Sequence, residues 1–99
     1  MDIKIQAIHF NATEKLQEFI TKKLSKLEKS NDFLKTAEVT LKVVKPETAN
    51  NKEVAINLVV PGADVRAEKI CDTFEEGVDL CVDVLKRQLE KVKDKQRGK

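Results

Sequence analysis

The sequence predicts an α+β domain: one four-stranded sheet with two helices packed side by side on one face, in the order β-α-β-β-β-α. Two observations lead there. Four stretches alternate apolar and polar residues with the period of a half-buried strand. Two others repeat apolar residues at spacings of three and four, the period of an amphipathic helix. A single sheet covered on one face buries all of these stripes. At 99 residues the chain has room for one core and no second lobe.

The first strand is read from Ile3, Ile5 and Ala7, which alternate with Lys4, Gln6 and Ile8. FNATEKLQEF follows. Asn11 and Thr13 are both capping residues, and Asn11 with Glu14 fits a capping box. Leu16, Phe19, Ile20, Leu24 and Leu27 then form a helical stripe ending near 28 or 29, with SNDF as its polar exit.

Residues 37–44 alternate again, with Ala37, Val39, Leu41 and Val43 inward and Glu38, Thr40 and Lys42 outward. PETANN, residues 46–51, has no apolar anchor and is expected to be a mobile loop. The next strand places Val54, Ile56, Leu58 and Val60 on one face, and Pro61-Gly62 is a tight-turn signal. ADVRAE is a short last strand with Ala63, Val65 and Ala67 inward. Short connections favour antiparallel pairing of these three strands.

A second helix is expected from 71 to about 95. Phe74, Val78, Cys81, Val82, Leu85, Leu89 and Val92 form its core stripe. Asp72 or Thr73 can cap it, Glu75 and Glu76 occupy its first turn, and Lys and Arg crowd its end, which suits the macrodipole. Gly77 costs a helix about 1 kcal/mol relative to Ala, so it is expected where the helix lies close on something. The domain is read as residues 1–95, with 96–99 a disordered basic tail.

The N-terminus shows no signal peptide, and no run approaches a membrane span. Cys71 and Cys81 have no metal spacing. Placed on one helix they are too far apart for a disulfide, which reads as two reduced, packed thiols in a cytoplasmic protein. His9 is the lone histidine and sits in no motif. The three glycines, Gly62, Gly77 and Gly98, make no phosphate loop. There is no nucleophile elbow and no HExxH. The reading is not an enzyme, with no cofactor, no metal and no small-molecule substrate.

Charge is the strongest functional signal. Residues 84–99 hold seven Lys or Arg and two acids, a net +5 on a chain of net +2, so the first eighty-three residues are −3. On the first helix Lys15, Lys22, Lys26 and Lys29 share a flank, and Lys23 lies at the margin of the apolar stripe. On the second, Arg87, Lys91 and Lys95 form one row, and Lys86, Lys93 and Arg97 another across the core stripe. Side-by-side helices could bring basic rows to a common groove. The dipole accounts for two or three cations in a last turn; seven over four turns point to a polyanion. Without Tyr or Trp, and with Phe10, Phe19, Phe33 and Phe74 all expected to be buried, base stacking is disfavoured. Phosphate contact with folded RNA, read by shape, fits better. A membrane surface fits worse, since neither helix has an aromatic-rich apolar face.

Three segments resemble the short-form ribosome hibernation-promoting factors, the family that includes the ribosome-associated translation inhibitor. They are ATEKLQEFITKKLSKLEK, AEVTLKVVK and DTFEEGVDLCVDVLKRQLEKVKDK. The last carries the R-Q-L-x-K-x-K-D-K pattern from Arg87 to Lys95. The resemblance implies a fold similar to a double-stranded-RNA-binding domain. It also implies binding to the small ribosomal subunit, on 16S rRNA in the channel of messenger and transfer RNA, and inhibition of translation in stationary phase or stress. By position it points to Lys23, Lys26 and Lys29 on the first helix and to Arg87, Lys91, Lys93 and Lys95 on the second. Lys22 and Lys86 join the RNA-binding set from the charge rows. A second hibernation factor as partner is left open. The chain departs from the family at Phe74, where Tyr is frequent, at Glu75 and Glu76, where Ala is common, and at Val84, where a base is often seen. Two alternatives stand beside this reading: a general double-stranded-RNA-binding module, and a protein-interaction module docking an acidic partner.

Overall fold

The computed structural model describes residues 1–8, 10–31, 33–44 and 51–97, with Ala63 and residues 93–97 described by backbone alone. The chain forms β1 (Asp2–Ile8), α1 (Glu14–Ser30), β2 (Thr36–Val43), β3 (Lys52–Val60), β4 (Ala63–Cys71) and α2 (Phe74–Arg97). This is the predicted order.

The four strands lie in one sheet in sequence order. β2, β3 and β4 pair antiparallel, as short connections require. β1 pairs parallel with β2, an arrangement that needs a crossover, and α1 supplies it. Register explains the two faces. Ile5, Val39, Ile56 and Ala67 lie in one row across the sheet, beneath the helices. The neighbouring row, Lys4, Glu38, Asn57 and Arg66, points the other way. The core between sheet and helices is almost wholly aliphatic: Ile20, Leu24, Leu41, Ile56, Leu58, Leu85 and Leu89 are fully buried. The β3–β4 turn combines Pro61, which fixes its own φ, with Gly62 at φ +80°, a conformation L side chains avoid.

α1 starts at Thr13, whose hydroxyl accepts from the Leu16 amide at 3.1 Å. The cap is therefore Thr13 and not Asn11, and the Asn11–Glu14 box does not set the helix start. At the other end Asn31 is buried, and its side-chain amide donates to the Leu27 carbonyl at 2.9 Å, occupying a helix-end acceptor. The Met1 amine donates to Glu28 Oε2 at 2.7 Å, tying the start of β1 to the last turns of α1. Pairing with Glu28 holds that amine's pKa above its ordinary value.

The junction before α2 differs from the reading. β4 continues through Lys69 and Ile70 to Cys71, three residues past ADVRAE, and the helix starts at Phe74. Thr73 caps it, accepting from the Glu76 amide at 3.1 Å. Cys71 and Cys81 thus lie on different elements; both are buried free thiols. Cys81 directs its S–H at the Val54 carbonyl, 3.6 Å away. Gly77 has the expected reason: a Cβ there would meet Val54 Cγ2 at 2.7 Å. Only Phe74 among the phenylalanines is buried. Phe10, Phe19 and Phe33 are half-buried at the core's margin, and Phe10 stacks on Phe74 with centroids 4.9 Å apart.

α2 runs to Arg97, two residues past the expected boundary. Residues 98 and 99, most of the expected 46–51 loop, and His9 lie outside the described residues. Asn51, at the edge of that loop, is buried, and its carbonyl accepts from the Val44 amide at 2.8 Å.

Candidate nucleic-acid interface

Strand polarity fixes how the helices point. α1 connects two parallel strands and so runs against them. α2 folds back along β4, which has the same polarity as β2. The two helices therefore run in the same direction. Their contacts agree: Lys23 of α1 stands beside Asp79 of α2, while Ser30 and Asn31 share a cleft with Lys86 and Glu90. Both C-terminal ends point to one end of the molecule. Beyond Glu90, α2 continues for seven more residues, about 10 Å at 1.5 Å per residue.

A cleft of about 640 Å³ lies between the helices. Lys23, Lys26, Leu27, Ser30 and Asn31 line one side; Asp79, Val82, Asp83, Lys86 and Glu90 line the other. Of the predicted cations, it gathers three, and three carboxylates face them. Lys23 Nζ lies 2.9 Å from Asp79 Oδ1 and 5.4 Å from the centre of the Phe19 ring. Among the candidate cations with described side chains, Lys23 alone is ion-paired with a described carboxylate.

The remaining candidates with described side chains stand outside the cleft. Lys22, Lys29, Arg87 and Lys91 are exposed. Lys22 borders a shallow hollow with Glu14, Gln17, Glu18 and Thr21, on the outer side of α1. At 100° per residue, Arg87 falls on the face of α2 opposite the buried stripe and Lys91 is turned further from α1, towards the flank of Gln88, whose side-chain amide donates to the Arg66 carbonyl of edge strand β4 at 3.1 Å. Lys93 and Lys95 lie on the final turns, where the backbone alone is described. The basic rows thus meet at one end of the molecule more than in one groove. Asp79, Asp83 and Glu90 are the cleft residues that sequence reasoning passed over. Their common flank with Lys86 was readable from helical periodicity; that this flank faces α1 depends on tertiary packing.

A family profile described as sigma 54 modulation protein / S30EA ribosomal protein matches residues 3–97, nearly the whole chain. The chain belongs to this family. Its relatives include the ribosome hibernation promoting factor of Pseudomonas putida, 30% identical over 98 residues, covering 99% of this chain and 92% of the relative. The ribosome hibernation promoting factor of Escherichia coli is 33% identical over 95 residues, covering 96% of each. The solved structure of a ribosomal subunit interface protein from Coxiella burnetii superposes with a TM-score of 0.84 at 26% identity, over 94% of this chain and 98% of that one. The family is thus the one that the three sequence segments resemble, that of the short-form ribosome hibernation-promoting factors. It is a family of ribosome-associated factors and not one of enzymes.

Proposed function

We propose that this chain is a ribosome hibernation factor. It binds the small ribosomal subunit in the channel used by messenger and transfer RNA, contacts 16S rRNA through its basic helix ends, and inhibits translation in stationary phase or stress. Its place of action is the cytoplasm, where ribosomes are. The observation that carries the reading is the parallel course of α1 and α2, which sets Lys26 and Lys29 of α1 and the C-terminal cations of α2 toward the same end. Such a surface suits phosphate chains converging in folded RNA, since each neutralised phosphate releases counterions and adds to affinity. The half-buried phenylalanines pack at the core's margin, so shape and charge carry recognition, and base stacking does not.

The test is co-sedimentation with purified small subunits at physiological salt. The wild-type chain is expected to travel with them and to be displaced by added salt. Converting Arg87, Lys91 and Lys95 together to Glu is expected to weaken binding roughly a hundredfold or more, with the thermal midpoint little changed because Arg87 and Lys91 are exposed. A folded triple variant that sediments normally would overturn the proposal. Equal affinity of the wild type for small subunits and for an arbitrary RNA duplex would replace it with the general RNA-binding reading.

A further inference from the structure

The cleft between α1 and α2 gathers Lys23, Lys26 and Lys86, yet the wall contributed by α2 also carries Asp79, Asp83 and Glu90. Lys23 crosses from α1 to Asp79 at 2.9 Å, and its ammonium also lies over the Phe19 ring. These two contacts hold it across the cleft as a strap. Its side chain is 33% exposed and that of Asp79 51%, so both are open to solvent and within reach of a phosphate chain laid on the cleft. Lys26 is left on the α1 wall and Lys86 on the α2 wall, with Asp83 lining the cleft beside them. A phosphate chain laid into this part of the cleft meets a lysine already engaged and carboxylates of its own sign.

We infer that Asp79 is a specificity-determining residue: it withdraws Lys23 from phosphate and, with Asp83, keeps indiscriminate RNA out of the cleft, so that polyanion contact is confined to the overhanging end. This rests on the RNA-binding reading above and deepens it. Specificity is a difference of affinities, and a repulsive element placed against the wrong partner raises it as surely as an attractive one for the right partner. An exposed ion pair contributes about 0–1 kcal/mol, so the strap biases binding without abolishing it. Asp79 acts through Lys23 and is a positioning residue.

The experiment compares wild type, Asp79→Asn, Lys23→Gln and the double variant on two probes, a non-ribosomal RNA duplex of about twenty base pairs and purified small subunits. Both substituted side chains are partly exposed, and thermal midpoints check that each variant folds. Asp79→Asn is expected to raise duplex affinity about three- to fivefold and to steepen the logarithmic salt dependence by about one, the value of one added phosphate contact. Subunit affinity is expected to rise less, so preference for the subunit falls. In the Lys23→Gln background the gain from Asp79→Asn is expected to vanish. A wild type that binds subunits, with Asp79→Asn leaving duplex affinity and salt slope unchanged, overturns this inference alone. An equal gain on both probes, or a gain that persists without Lys23, also overturns it. A wild type that binds neither probe overturns the proposed function and this inference with it.

Discussion

The two halves of α2 are built to different rules. Residues 74–85 hold four acids and no base, whereas residues 86–97 hold six bases and two acids. The first half buries Phe74, Val78, Cys81, Val82 and Leu85, and seats Gly77 and Cys81 against Val54 of β3. In the second half, Leu89 is the one buried hydrophobic among the described side chains, with Val92 half-buried. One helix thus separates the turns that hold the fold from the turns that carry positive charge. Substitutions at the buried positions of the first half should therefore act on stability and leave the binding of folded molecules alone. Those at the exposed cations of the second half, Lys86, Arg87 and Lys91, should do the reverse.

The largest effect expected is that of Leu85→Ala, at the last fully buried position of the docked half. It should lower unfolding free energy by about 3 kcal/mol in urea titration, through lost burial and the cavity left behind. Folded molecules should still bind subunits at wild-type affinity. A loss of affinity beyond the unfolded fraction would break the division.

Alkaline titration reads the same half chemically. Burial pushes the Cys81 thiol up from its ordinary 9.0 to about 11. The folded state then keeps a proton that the unfolded chain has lost, so stability is held up to about pH 9 and falls progressively between pH 9 and 11. The full effect is on the order of 2 kcal/mol. Cys81→Ala should flatten this slope in thermal midpoints measured across that range. It should not remove it entirely, since burial also raises the Cys71 thiol. An unchanged slope would show that Cys81 is not the group responsible.

Gly77→Ala should cost about 1–2 kcal/mol. The helix-propensity gain is smaller than the overpacking against buried, branched Val54. Combining it with Val54→Ala should recover part of that loss, and strict additivity of the two would show that they do not press on one another. Thr73→Ala removes the cap of the same half and should cost about 1 kcal/mol. At the far end of the scale, Arg87→Ala should stay within about 0.5 kcal/mol of wild-type stability while measurably reducing the salt dependence of subunit binding.

Much of the fold was legible because its signals are local. The alternation at Val39 and Leu41 or at Ile56 and Leu58, and the stripe Leu16–Ile20–Leu24–Leu27, mark the buried faces without knowledge of their partners. The parallel pairing of β1 was not legible, since alternation carries no strand direction. Cys71 fits the apolar side of a strand and, extended backwards, the stripe of a helix, so the β4–α2 junction could be read either way. Asn11 and Thr13 both suit a cap, and the Leu16 amide decides for Thr13. For the candidate interface, the identities of the cations were plain, but their grouping depends on the phase of one helix against the other. That phase places Lys86 in the cleft, Arg87 and Lys91 outside it, and Asp79 opposite Lys23.

Because both helices point the same way, side-chain charge is graded along a body 50 Å long and about 20 Å across. In an electric field such a distribution experiences a torque. A molecule diffusing toward any dense array of negative charge turns before it touches, presenting the end with Arg87 and Lys91 and trailing the one with Glu75 and Glu76. Fewer collisions are then wasted in wrong orientations, and the association rate should decline as added electrolyte shortens the range of that alignment.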